Sequence, residues 1–183
     1  MNATYTLIIA VVLALVVVGV ILALVFVSSN RSKQLQNQFG DEYEHTVQAL
    51  GDEKKAQAEL EERQKHVETL DIHPLSVIER ERYLADWAAV QSKFVDEPGP
   101  AIVAADRLIM EVMQMRAYPV SDFEQRAADL SVSYPALVSN YRAARAIALK
   151  NEQGQADTEE LRQAMLYYHS LFDELIETEA VAA

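Results

Sequence analysis

The sequence predicts an all-α chain with one membrane-crossing helix near its N-terminus. Three observations predict it. Leu7 to Val27 is a run of 21 residues without a charged side chain. Apolar residues recur at spacings of three and four through most of the remainder. No stretch alternates with a period of two, so no sheet is expected. The expected organisation is an anchor over 1–30, a charged helical connector over 31–72, and a small helical-bundle soluble domain over 73–183.

The apolar run is bounded by Leu7 and Val27. At a rise of about 1.5 Å per residue it spans roughly 31 Å, the thickness of a hydrocarbon core. A cleaved signal peptide calls for a basic start, a shorter apolar run and a small-x-small cleavage site. Residues 1–6 carry no Lys or Arg, the run is longer, and Val25-Phe26-Val27-Ser28 is a poor site, so an uncleaved anchor is expected. Arg31 and Lys33 follow the run closely. Cations stay on the cytoplasmic side, which points the C-terminal region inward. Tyr5 suits the outer headgroup level. Gly19 and Ala23 form a small-xxx-small pair that could let two anchors approach; an isolated small residue facing lipid is the plainer reading.

From residue 31 to 70 a helix is expected, with an interruption at Gly51. Phe39, Tyr43, Val47 and Leu50 give its first half one apolar stripe. Its second half is dense in charge, with Glu59–Arg63 and Glu61–Lys65 at i,i+4 in the favourable order. A coiled-coil seam through Leu50 meets Gln57 and Gln64, so a solvated spacer is expected instead.

Pro74 ends that segment, and Ser76 with Glu79 forms a capping box. The helix it opens carries Tyr83, Trp87, Val90 and Phe94, with Leu84, Ala88 and Val95 widening the same face. A Trp in such a stripe reads as core; a partner-facing role is the other reading. The chain turns at 96–100. A third helix, about 101–116, has a core stripe of Ile102, Ala105, Ile109 and Val112 or Met113. Ser121 and Glu124 look like a second capping box before Phe123, Ala127 and Leu130. Pro135 permits another helix with Leu137, Tyr141, Ala144 and Ala148 aligned. Asp157 and Glu160 cap the last one, whose stripe is Leu161, Met165, Tyr168, Phe172 and Leu175. The entries at His73-Pro74-Leu75-Ser76 and Tyr118-Pro119-Val120-Ser121 are alike, either by duplication or because capping chemistry recurs independently.

Composition narrows the function. There is no cysteine, which rules out disulfides, thiolate metal sites and cysteine nucleophiles. Net charge is −12, and every acidic residue lies beyond position 40, so nucleic acid is repelled. The four histidines have no metal-ligand spacing, five glycines form no phosphate loop, and no hydrolase or zincin motif occurs. No catalytic residue, metal or other cofactor is expected. One region is chemically richer. Arg126, Tyr141 and Arg142 could line a site for an anionic ligand or acidic peptide. Against this, Asp129 and Ser133 could simply cap helix ends while the arginines pair with local carboxylates.

The stretches Phe39-Gly40-Asp41-Glu42-Tyr43, Glu79-Arg80-Glu81-Arg82-Tyr83 with Trp87, Val90-Gln91 and Phe94-Val95-Asp96, and Asp122 to Leu130 with Tyr134-Pro135 and Asn140-Tyr141-Arg142 carry a resemblance. The chain resembles a family of uncharacterised bacterial proteins, described as membrane or secreted, with one apolar N-terminal segment and a helical domain of this length. The resemblance runs from the anchor to about Leu175 and implies no activity, cofactor or catalytic residue. The expected function is a membrane-tethered protein-interaction module whose partners are the bilayer, an unidentified protein and, through Gly19, a second copy. Alternatives are a small-ligand binding or sensing domain and an exported helical domain; an enzyme is not expected.

Overall fold

The computed structural model describes Leu13, Gly19 and residues 31–177. The described residues are helical with no strand, so the chain is all-α. Two compact units divide at residues 38 and 39. In the first, Leu13, Gly19 and residues 31–38 are helical, and Arg31 and Lys33 are exposed. Gly19 has nothing described within 4 Å of where a Cβ would stand. Apart from Leu13 and Gly19, the expected membrane span, with its ends Leu7 and Val27, lies outside the described residues. Among those described, no helix is long and apolar enough to cross a membrane.

The second unit contains α1 (Asp41–Leu50), α2 (Glu53–Glu68), α3 (Val77–Asp96), α4 (Pro98–Met115), α5 (Phe123–Ser133), α6 (Pro135–Glu152) and α7 (Thr158–Glu177). Its boundaries follow local chemistry. Gly51 ends α1 in the left-handed conformation (φ 65°) and donates its N–H to the Val47 carbonyl. Asp52 then accepts from the Lys55 amide, so α2 folds back after only two residues. Ser76 and Glu79 make the expected reciprocal box, as do Asp157 and Glu160. The expected box at Ser121 does not form. Asp122 caps α5 by accepting from the Gln125 amide at 2.9 Å, because its carboxylate outcompetes the neighbouring hydroxyl for the first-turn donors. The two similar entries therefore use different caps. Pro98 and Pro135 each open a helix, where a missing N–H leaves nothing unsatisfied.

The main core lies among α3 to α7, with α4 and α7 most deeply involved. Ile102, Ala105, Ile109, Val112 and Met113 of α4 are buried, as are Leu161, Met165, Tyr168, Phe172 and Leu175 of α7. Their regular three-four spacing puts them on one face. Trp87 is core: its ring stacks on Phe172 at 4.6 Å and on His169 at 5.2 Å. Tyr83 is buried beside it and donates its hydroxyl to the Glu111 carbonyl.

The α1–α2 hairpin differs from the expected solvated spacer, for it packs on α5 and α6. It has a small core of its own in Phe39, Tyr43, Ala56 and Leu60, which belongs to no part of the main cluster. Few apolar side chains suffice there because buried charge supplies the rest of the contact. The expected core face of α3 is also narrower than its sequence suggests. Leu84 is 39 % exposed and Val95 81 % exposed, because α3 packs chiefly on α4 and turns these residues outward.

Candidate functional site

Two of the buried charges, Glu42 and Asp129, lie at the seam between the hairpin and the rest of the unit. Glu42, on the first turn of α1, is only 3 % exposed. Its Oε1 accepts from Arg63 Nη1 of α2 at 2.9 Å and from Arg142 Nη2 of α6 at 3.1 Å. Its Oε2 accepts from Arg142 Nη1 at 2.8 Å. One carboxylate thus clamps one guanidinium in a two-pronged grip and holds a second from the side. Arg63 also donates to Glu59 at 3.0 Å, and Glu124 approaches Arg142 at 4.0 Å. Three helices meet on this one anion.

Farther along the seam a cavity of about 290 Å³ opens between α2 and α5. Glu59, Glu62, Arg63 and His66 line it from α2, Gln125 and Ala128 from α5. Asp129 lies behind this lining and is 0 % exposed. Its Oδ1 accepts from Gln125 Nε2 at 2.8 Å and stands 3.6 Å from His66 Nε2, beyond hydrogen-bond range. Its Oδ2 is buried with no hydrogen-bond partner among the described residues. Burial strips water from this carboxyl and raises its pKa; the Gln125 hydrogen bond and the nearby His66 and Arg63 pull the other way. Asp129 does not cap a helix end, as one sequence reading has it. It sits within α5, one turn beyond the Gln125 that holds it.

Arg126 and Tyr141 come together, but inside the core. Arg126 Nε donates to the Tyr141 hydroxyl at 3.2 Å, and its Nη1 to the Val120 carbonyl at 3.3 Å. The Phe123 ring packs on both the guanidinium and the Tyr141 ring. Tyr141 meets the edge of Tyr168, which donates to Asp106 Oδ1 at 3.0 Å; Arg145 donates to the other oxygen at 3.1 Å. Burial raises the pKa of both tyrosines, and the Asp106 charge adds to this at Tyr168. These phenols stay protonated; Tyr168 donates to Asp106, whereas Tyr141 accepts from Arg126. Arg142 stands apart from them, with Glu42 in the fork that the sequence suggests for an outside anion. None of the three lines the cavity.

The chain matches no protein-family model, no curated protein and no solved structure. The site must therefore be read from its own chemistry. Among the described residues no group of three His, Asp or Glu side chains could hold a metal ion.

Two features of this region have no sequence signature. Glu42 and Arg142 are 100 residues apart. His66 and Asp129 lie on different helices, and neither spacing nor composition pairs them. Only the Glu59–Arg63 contact was visible in advance, as an i,i+4 pair.

One further surface stands out. Val77, Leu84, Ala88 and Val95 recur along α3 at seven, four and seven residues and are exposed, Val77 by 72 %. At roughly 100° per residue they form a second apolar stripe, about a quarter to a third of a turn from the buried Tyr83–Trp87 face.

Proposed function

We propose that this chain is a membrane-tethered protein-interaction module. In this reading residues 7–27 cross the bilayer, and the helical unit presents the outer face of α3 to a neighbouring protein. What carries the reading is the uncharged run from Leu7 to Val27, long enough to span a hydrocarbon core and followed closely by Arg31 and Lys33. Those two cations favour a cytoplasmic helical unit. Tethering raises the effective concentration of the unit toward anything else held in the same membrane. The apolar stripe of Val77, Leu84 and Val95 supports protein contact, since aliphatic side chains in register on one helix face can enter a partner's groove.

The test has two arms. The full-length chain, its N-terminus intact, should remain in the membrane pellet after alkaline carbonate washing. A photo-crosslinking residue at position 84 or 95 should give a discrete adduct in intact membranes, and one at Arg107, on the exposed side of α4, should not. Recovery of the intact chain in the supernatant, or the same adducts from position 107, would overturn the reading.

A further inference from the structure

The lining of the seam cavity carries two carboxylates, one arginine and one histidine. Behind the lining residues Gln125 and His66 lies the buried Asp129 carboxyl, with one hydrogen bond and one oxygen with no partner among the described residues. A buried polar atom left in this way is costly, so a group that satisfies it gains accordingly. At the rim, Glu62 makes no ion pair among the described residues. The cation of the lining, Arg63, already pairs with Glu42 and Glu59 and has little to offer an anion. The volume, about 290 Å³, lies at the small end for ligand pockets.

We infer that the α2–α5 cavity binds a primary alkylammonium group, whose charge settles against Asp129 while its alkyl stem leaves past Glu62. A compact ammonium with three donors suits a carboxyl that has one oxygen bare and the other singly bonded. His66, 42 % exposed and 3.6 Å from Asp129, gives up that contact and swings toward solvent as the ligand enters. The ammonium pairs with Asp129 as its carboxylate. Burial raises the pKa of Asp129, so a cation beside it favours its charged form. The other charged groups around the site are Glu59, Glu62, Arg63 and His66 on α2 and Asp122 on α5. The site does not depend on residues 7–27 crossing a bilayer. The ammonium can come from a free amine or from a lysine side chain of another protein.

Calorimetric titration of the full-length protein with butylammonium chloride tests the inference. Saturable binding is expected, with no binding of butanol, which has the same stem without the charge. Asp129→Asn should weaken binding by about tenfold or more. Glu62→Gln, at the exposed rim and safe for folding, should weaken it by about two- to fivefold. A capped Gly-Lys-Gly peptide that binds more tightly than butylammonium assigns the ligand to a protein lysine; equal or weaker peptide binding assigns it to a free amine. Butanol binding as well as butylammonium, a folded Asp129→Asn protein binding undiminished, or no saturation by amine or peptide would each overturn the inference.

Discussion

The α4–α7 pair and the α1–α2 hairpin hold to the same unit by different physics. The first pair meets through two unbroken apolar stripes, with Tyr168–Asp106 as an internal polar tie. The hairpin buries four apolar side chains of its own and docks through Glu42, Arg63 and Arg142. Apolar burial yields about 25 cal/mol per Å² and tolerates small shifts. A buried ion pair is demanding instead: it must recover the cost of taking charge from water, and it fails when one member is lost. The lesson is that the hairpin can be released at one point, whereas the core cannot.

The sharpest way to break the contrast is to damage each region in turn. Phe172→Ala removes the ring on which Trp87 stacks and should cost about 3–5 kcal/mol, seen as a lower urea midpoint for the whole helical signal. Glu42→Ala leaves two arginines facing each other at the seam. Because both keep some contact with water, about 2–3 kcal/mol is expected. That loss should appear in the hairpin, with Trp87 fluorescence unchanged under native conditions. A simultaneous loss of the Trp87 signal would erase the distinction.

Asp129 sharpens the contrast through pH. Its folded pKa is raised above the unfolded value of about 3.9, so the folded state holds its proton longer. This group's contribution is intact at low pH and declines as pH rises from the unfolded value through the folded one. Asp129→Asn should remove that decline, leaving the variant relatively more stable at neutral pH than at pH 4. Paired urea titrations at the two pH values measure it; an unchanged pH slope would refute the assignment. The smallest effect belongs outside both regions. Ala117 adopts φ 66° just past α4, where a Cβ is strained. Ala117→Gly should raise the melting temperature by the equivalent of about 1 kcal/mol or less, without altering either region.

This division also explains what could be read in advance. The stripes of α4 and α7 were legible because regular spacing reports a single buried face, and every residue named for them is buried. In α3 the same rule failed in part. Tyr83, Trp87 and Val77, Leu84, Val95 make two apolar stripes, and periodicity cannot say which one meets the core. The hairpin looked solvated because Glu42 and Arg63 resemble surface charges until Arg142 is brought beside them by the fold. Asp129 looked like a cap because composition does not reveal burial. Ser121 and Asp122 offered overlapping caps, and the stronger acceptor prevailed. Arg126 and Tyr141 were visible as polar groups near a corner, but their enclosure by Phe123 and Tyr168 is a tertiary fact.

Native-state hydrogen exchange on the full-length protein tests the central claim most directly. If charge at the seam holds a separable hairpin, amides of α1 and α2 should exchange through an opening of lower free energy than those of α4 and α7, and Glu42→Gln should widen that gap. Equal opening free energies across all four helices, in both proteins, would contradict it.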